Sequence, residues 1–289
     1  FLYLNLDNLV SKVAMPLLTA GKIKEQLYFS INTNEQTAIA NYLDEKISSI
    51  EKSIETLKSQ KERLIEQKKA IIHNAVTKGL DDSVEMKDSG VDWIGEVPSN
   101  WKVVRGKDLL SYKKEKNIGM KESNLLSLTL SGVINRNLED NNGLKPDSYE
   151  TYQIVKKNNL IFKLIDLGNK KTSRVGLIHQ DGIMSSAYIY LEAKKINSKY
   201  AYYYYYDMYQ RYIFNDLGGN GVRSALTFGD LLNLKIINPT NGIEIVNYID
   251  KKISKIEEVV NEVEKQINLL EEYKKTLIND VVTGKIKVF

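Results

Sequence analysis

Apolar residues recur along two stretches of this chain in alternating steps of four and three. The first stripe is Ile39, Leu43, Ile47, Ile50, Ile54, Leu57, Leu64, Ile71 and Ala75, with Lys61 and Lys68 interrupting it. The second is Ile245, Ile249, Ile253, Ile256, Val260, Val263, Ile267, Leu270, Leu277 and Val281, with Lys274 as the gap. A 3.5-residue period belongs to helices that wrap around a partner helix. Gly and Pro are absent from both interiors, and Lys and Glu fill the other faces, so local propensity agrees with the pattern. The pattern predicts one long helix over residues 34–78. A second occupies most of the final region, 240–289. Each would be about 65 Å long at about 1.5 Å per residue.

The two stretches are copies. Asn41-Tyr42-Leu43-Asp44 falls on Asn247-Tyr248-Ile249-Asp250 at an offset of 206 residues, and Lys46-Ile47-Ser48 then meets Lys252-Ile253-Ser254. At the same offset Val76-Thr77 meets Val282-Thr283. A repeat that keeps register over this length is read before anything else. The nearest partner for each narrow stripe is the other copy. The likeness begins before the helix: Leu18-Thr19-Ala20-Gly21-Lys22-Ile23 resembles Leu226-Thr227-Phe228-Gly229-Asp230-Leu231. Residues 1–33 therefore read as the C-terminal remnant of a first globular unit. With no initiating Met, the sequence reads as a fragment of a longer chain.

Residues 79–239 read as a linker and one complete globular domain. Asp81-Asp82-Ser83, Asp88-Ser89-Gly90 and Val97-Pro98-Ser99-Asn100 are turn chemistry, and Trp93, Ile94 and Trp101 are expected to pin the linker down. Strands are expected at 125–130, at 154–155 and 160–162 on either side of a turn, at 175–178, at 187–191 and at 235–239. Residues 200–214 have helix length behind Asn197-Ser198, a usable N-cap. A short helix or turn is expected over 226–234. This mixture, without regular β-α-β alternation, predicts an α+β fold flanked by the two long helices.

Composition narrows the classes. Apolar content of 42% is that of a folded chain. Cysteine is absent, which excludes disulfides and thiolate metal sites and fits a cytoplasmic location. No apolar run reaches 18 residues, so no membrane partner is expected, and the start lacks the pattern of a signal peptide. A net charge of +4 permits a nucleic-acid partner without demanding one. His73 and His179 are the only histidines and lie in unrelated segments, which speaks against a His-based triad or metal cluster. No Gly-rich phosphate loop ends in Lys-Ser or Lys-Thr. Asn238-Pro239-Thr240-Asn241 lacks the continuation of an amino-methyltransferase site, and Pro146-Asp147 lacks the acidic-x-Lys partner of a nuclease.

The ordered motifs resemble a known family. Gly221-Val222-Arg223-Ser224-Ala225-Leu226-Thr227, then Leu234 to Pro239, then Tyr248-Ile249-Asp250 in a long helix, resembles the end of a target-recognition domain of type I restriction-modification specificity (S) subunits. Asp88 to Trp101 resembles the start of such a domain, and Gly182-Ile183-Met184-Ser185-Ser186-Ala187-Tyr188 its central strand. The departure is that only one recognition domain is complete. The resemblance implies a non-catalytic reader of double-stranded DNA. Each recognition domain would contact half of a bipartite sequence. The long helices would pair as an antiparallel coiled coil that spaces the half-sites and docks methyltransferase subunits. It also implies no cofactor on this chain. S-adenosylmethionine, ATP and Mg²⁺ would act in partner subunits, a restriction motor among them. A half-length form would dimerise head to tail. The rival from another class is a coiled-coil structural adapter that binds proteins rather than DNA.

Candidate DNA contacts follow, each with a plainer alternative. Lys170-Lys171-Thr172-Ser173-Arg174 is a basic loop between two strand candidates, where cations would neutralise phosphates and Thr, Ser or Arg reach base edges. The alternative is a solvated turn. Lys113 and Lys114 are a weaker basic pair, with surface solvation as the alternative, and Arg136 and Ser185-Ser186 are minor candidates. Asn220, Arg223 and Ser224 sit on a Gly-rich loop that either lets backbone approach DNA or closes the domain as a tight turn. The tyrosines at 200, 202–206, 209 and 212 offer base-stacking surfaces. A helix points them all round, however, which favours packing with hydroxyls at the rim.

Overall fold

The computed structural model describes residues 31–136, 148–168, 172–218 and 225–288. The expected remnant at 1–33 lies almost wholly outside them. The chain divides into two compact units, one from Phe1–Ile65 with Lys255–Phe289 and one from Glu66–Ser254. The long helices are α1, Thr33–Thr77, and α5, Gly242–Val282. Asn32 starts α1, its side chain accepting from the Glu35 amide at 2.9 Å, two residues before the expected start. Gly79, at φ +84°, ends it in the left-handed conformation that glycine tolerates.

In the first unit the two helices pair through the predicted seam. Leu43, Ile50 and Ile54 of α1 form one core with Val263, Ile267, Leu277 and Val281 of α5. Two of the lysines that interrupt the stripes bridge the helices: Lys61 lies 2.5 Å from Glu264 and Lys274 lies 3.1 Å from Glu51. Ten residues forward along α1 is thus ten residues back along α5, so the pair is antiparallel. Both ion pairs are part-exposed and add at most about 1 kcal/mol each. They fix orientation more than stability. The repeat holds in three dimensions, since Leu43 and Ile249, Ile50 and Ile256, and Ala75 and Val281 are all buried.

The second unit is strand-rich. A hairpin of β1 (Met86–Asp88) and β2 (Glu96–Pro98) lies within the expected linker. Next come β3 (Lys102–Arg105), β4 (Leu110–Tyr112), β5 (Leu126–Thr129) and β6 (Gly132–Asn135). They are followed by β7 (Gln153–Val155), β8 (Leu160–Phe162), β9 (Val175–Leu177), β10 (Gly182–Met184) and β11 (Ile189–Ala193). Helices α2 (Ser198–Gln210), α3 (Ile213–Leu217) and α4 (Phe228–Asn233) lead to β12 (Lys235–Asn238). The main sheet has the order β4-β11-β8-β9, all antiparallel, while β7 pairs with β10, β3 with β12 and β5 with β6. The expected strands at 154–155 and 160–162 form but do not pair with each other. Asn158, at φ +61°, sends β8 into the main sheet instead.

The sheet is buried on both faces. Leu160, Phe162 and Leu191 look toward α2, with Phe162 and Tyr205 edge-to-face at 5.0 Å. Ile161 and Tyr190 look the other way, into a core shared with Leu126, Leu128, Val155 and Met184. The α2 core also takes Ile72, Ala75 and Val76 from the end of α1 and Ile245, Ile249 and Ile253 from the start of α5. Ile72 and Val76 fall outside the seam, because the globular core covers a wider face of α1 than a partner helix does. Ile94 and Trp101 are buried and Trp93 is half-buried against the same core, as the linker reading expects, and Val97, read as turn chemistry, is buried as well. The helix expected over 200–214 breaks at Tyr212, φ +61°, which turns the chain so that Ile213 and Phe214 enter the core.

Candidate nucleic-acid interface

The stem after β8 gathers several backbone polar groups. Lys163 N donates to the Arg174 carbonyl at 3.0 Å, and Lys163 Nζ donates to Thr172 Oγ1 at 3.1 Å. Leu226 N donates to the Leu164 carbonyl, and Ile165 bridges Ala225. Asn215 Nδ2 donates to the Leu167 carbonyl at 2.9 Å. Gly218 packs so closely on Leu167 that an added Cβ would lie 2.4 Å from Leu167 Cδ1. The flanks of the two candidate loops, 168 and 172 for one and 218 and 225 for the other, therefore meet on one segment, 164–167. Beside it lies a cleft of about 390 Å³ lined by Lys69, Leu167, Arg174, Tyr209, Tyr212 and Asn215, among others.

Ser173 and Arg174, read as DNA contacts or else as parts of a solvated turn, face inward instead. Both are only 2% exposed. Arg174 Nη2 donates to the Asp166 and Leu167 carbonyls at 3.0 and 2.9 Å, and Ser173 Oγ donates to the Val175 carbonyl. A buried guanidinium persists because the turn aims backbone carbonyls at it. Burial pulls its pKa down, while Tyr209 and Asp166 oppose that shift. These two residues shape the loop from inside. Thr172 is half-buried, and Lys163, which sequence reasoning missed, supplies a cation beside it. Lys170, Lys171, Asn220, Arg223 and Ser224 lie outside the described residues.

A second cluster assembles three other candidates. Lys114, on the exposed segment after β4, donates from Nζ to the Ser186 carbonyl at 3.3 Å, and Ser186 Oγ donates to the Thr151 carbonyl at 2.6 Å. Lys113 is exposed next to Lys114. Arg136 follows β6, and its charge is felt by both Tyr152 and Tyr188. Burial raises both phenols, Tyr149 adding to the first and Tyr152 to the second, while Arg136 works against the rise. Both therefore stay protonated at neutral pH and can donate. Tyr149 and Tyr152 stand edge-to-face at 5.1 Å. No spacing in the sequence announced this cluster, because β7 and β10 bring together segments distant along the chain, Ser186 lying 72 residues from Lys114 and 35 from Thr151.

The tyrosine helix α2 is structural. Tyr200, Tyr203, Tyr204 and Tyr205 are buried. Tyr200 donates to the Val76 carbonyl, Tyr203 to Asp250 and Tyr204 to the Lys235 carbonyl at 2.8, 2.5 and 2.9 Å. Asp207 lies 3.1 Å from His73 Nδ1 and accepts from Arg211 Nη1 at 3.4 Å, tying α2 to α1.

Comparison with known proteins adds the following. The family model described as type I restriction modification DNA specificity domain matches residues 98–272. No curated protein matches. Among solved structures, a chain of a type I R-M system, solved for its complex assembly and conformational transition, superposes with a TM-score of 0.64 at 12% identity. The match covers 94% of this chain and 65% of that one. The HsdS subunit from Thermoanaerobacter tengcongensis gives 0.46 at 12% identity, covering 96% and 65%. The type I restriction-modification S subunit from M. genitalium gives 0.45 at 15%, covering 97% and 73%. The chain thus spans about two thirds of the length of these structures.

Proposed function

From a chain that belongs to the type I restriction-modification DNA specificity family, we propose a non-catalytic, sequence-specific DNA-recognition subunit acting in the cytoplasm. The Glu66–Ser254 unit reads one half of a bipartite site. The observation that carries this reading is the family match over 98–272, which includes strands β3 to β12 of that unit and the candidate contacts. Lys113, Lys114, Arg136, Lys163 and Thr172 are the described candidate contacts. Lys170, Lys171, Asn220, Arg223 and Ser224 are further candidates. The paired helices dock methyltransferase subunits and, through them, a restriction motor. Leu269 and Tyr273, 64% and 55% exposed one turn apart on α5, support that part. S-adenosylmethionine, ATP and Mg²⁺ belong to those partners. The family match speaks against a protein-binding adapter.

A salt series tests the reading. Affinity for a random duplex should fall about a hundredfold between 50 and 200 mM salt if about four phosphates are neutralised. Binding that is absent, or flat across the series, would favour the adapter.

A further inference from the structure

We infer that the β5–β6 ribbon is the element that enters the major groove, and that Ser127, Leu130 and Ile134 on it determine which bases are read. This rests on the DNA-reading function proposed above. The register sets Ser127 opposite Ile134 and Leu128 opposite Val133. Cross-strand partners share a face, and alternate residues oppose it. Leu126 and Leu128 are buried in the core behind the sheet, with Val133 against them. Ser127 and Ile134 therefore point away from it. Ile134 is 44% exposed, and Leu130, at the turn, 58%. Two large aliphatic side chains in water on one short ribbon ask for a partner.

Shape and charge identify the partner. Two strands of four residues make a ribbon about 13 Å long with a strand separation of about 4.8 Å, and the major groove, about 12 Å wide, admits such a ribbon. No acidic residue occurs from Leu126 to Arg136. Arg136 follows one end. At the other, the Thr129 carbonyl accepts from Ser173 N at 3.4 Å, which brings the turn against the segment where Lys163 holds Thr172. A cation thus stands near each end, as a phosphate-lined groove requires. The turn itself is rigid: Thr129 Oγ1 accepts from Ser131 N and donates to the Gly132 carbonyl, with Gly132 at φ +104°. Leu130 and Ile134 suit thymine methyl groups, and the Ser127 hydroxyl suits either a donor or an acceptor edge.

The test is selection from a pool of duplexes with a randomised central stretch, using the full chain and its Ser127→Ala, Leu130→Ser and Ile134→Thr variants. These positions are half-buried or exposed, so unfolding midpoints should match the parent. Each variant should change the selected word at one or two positions and bind the parent word about tenfold more weakly. Its salt slope on random duplex should not change. An unchanged word at unchanged affinity in all three would overturn the ribbon assignment and leave the DNA-reading function standing. A parent chain that selects no word overturns both.

Discussion

Ile249→Ala should lower the stability of the Glu66–Ser254 unit by about 4 kcal/mol. Ile249 is fully buried, in the core that holds Ile72 and Val76 of α1 and Tyr200 of α2. Removing three carbons there forfeits their transfer free energy and leaves a cavity between helices fixed on several sides. The neighbouring Tyr248 is 39% exposed, and Tyr248→Ala should shift stability by no more than about 0.5 kcal/mol. The two tryptophans, Trp93 and Trp101, both lie in this unit, so urea unfolding followed by their fluorescence reports it. Equal midpoints for the two variants would mean that the first turns of α5 belong to a coil seam alone. A large gap means that the helix start and the globular domain fold as one core.

The seam was legible because its period is local. Each heptad repeats the same test, and even the interrupting lysines at 61 and 274 find glutamates across the helix pair. The tyrosine helix was legible for a similar reason, since five consecutive tyrosines cannot all face one ligand. What the sequence hid depends on contacts distant along the chain. The strands β1 and β2 have three residues each among turn-forming neighbours, too short for alternation to register. Arg174 and Ser173 have a solvent-facing composition, and only the turn at 166–167 shows which carbonyls take the guanidinium inside. The ribbon face was hidden differently. Ser127 alternates with the buried Leu126 and Leu128 as in any half-buried strand, and only the exposure of Ile134 and Leu130 shows that none of the described residues covers them.

Gly182→Ala should cost about 3 kcal/mol and disturb the ribbon besides. A Cβ at this position would stand 2.5 Å from the Asn124 carbonyl oxygen and 2.8 Å from Leu126 Cγ. The nearest obstacle is backbone, so a rotamer change cannot relieve it. That same oxygen accepts from Ile183 N at 2.8 Å, in the bridge that joins Leu125 to Ile183. Overpacking costs about 1–3 kcal/mol, and a backbone bond lost from a buried bridge about 1 kcal/mol more. Gly119→Ala is the control. Gly119 has the reverse situation: it needs a positive φ, +78°, which Gly182 does not, but has open space around its Cα, so only backbone strain of about 1 kcal/mol applies. If close approach sets the cost, Gly182→Ala has the lower urea midpoint. Because Asn124 and Leu126 root the ribbon, sequence selection should then weaken more than binding to random duplex. Equal midpoints for the two alanine variants would show that the bridge yields without loss.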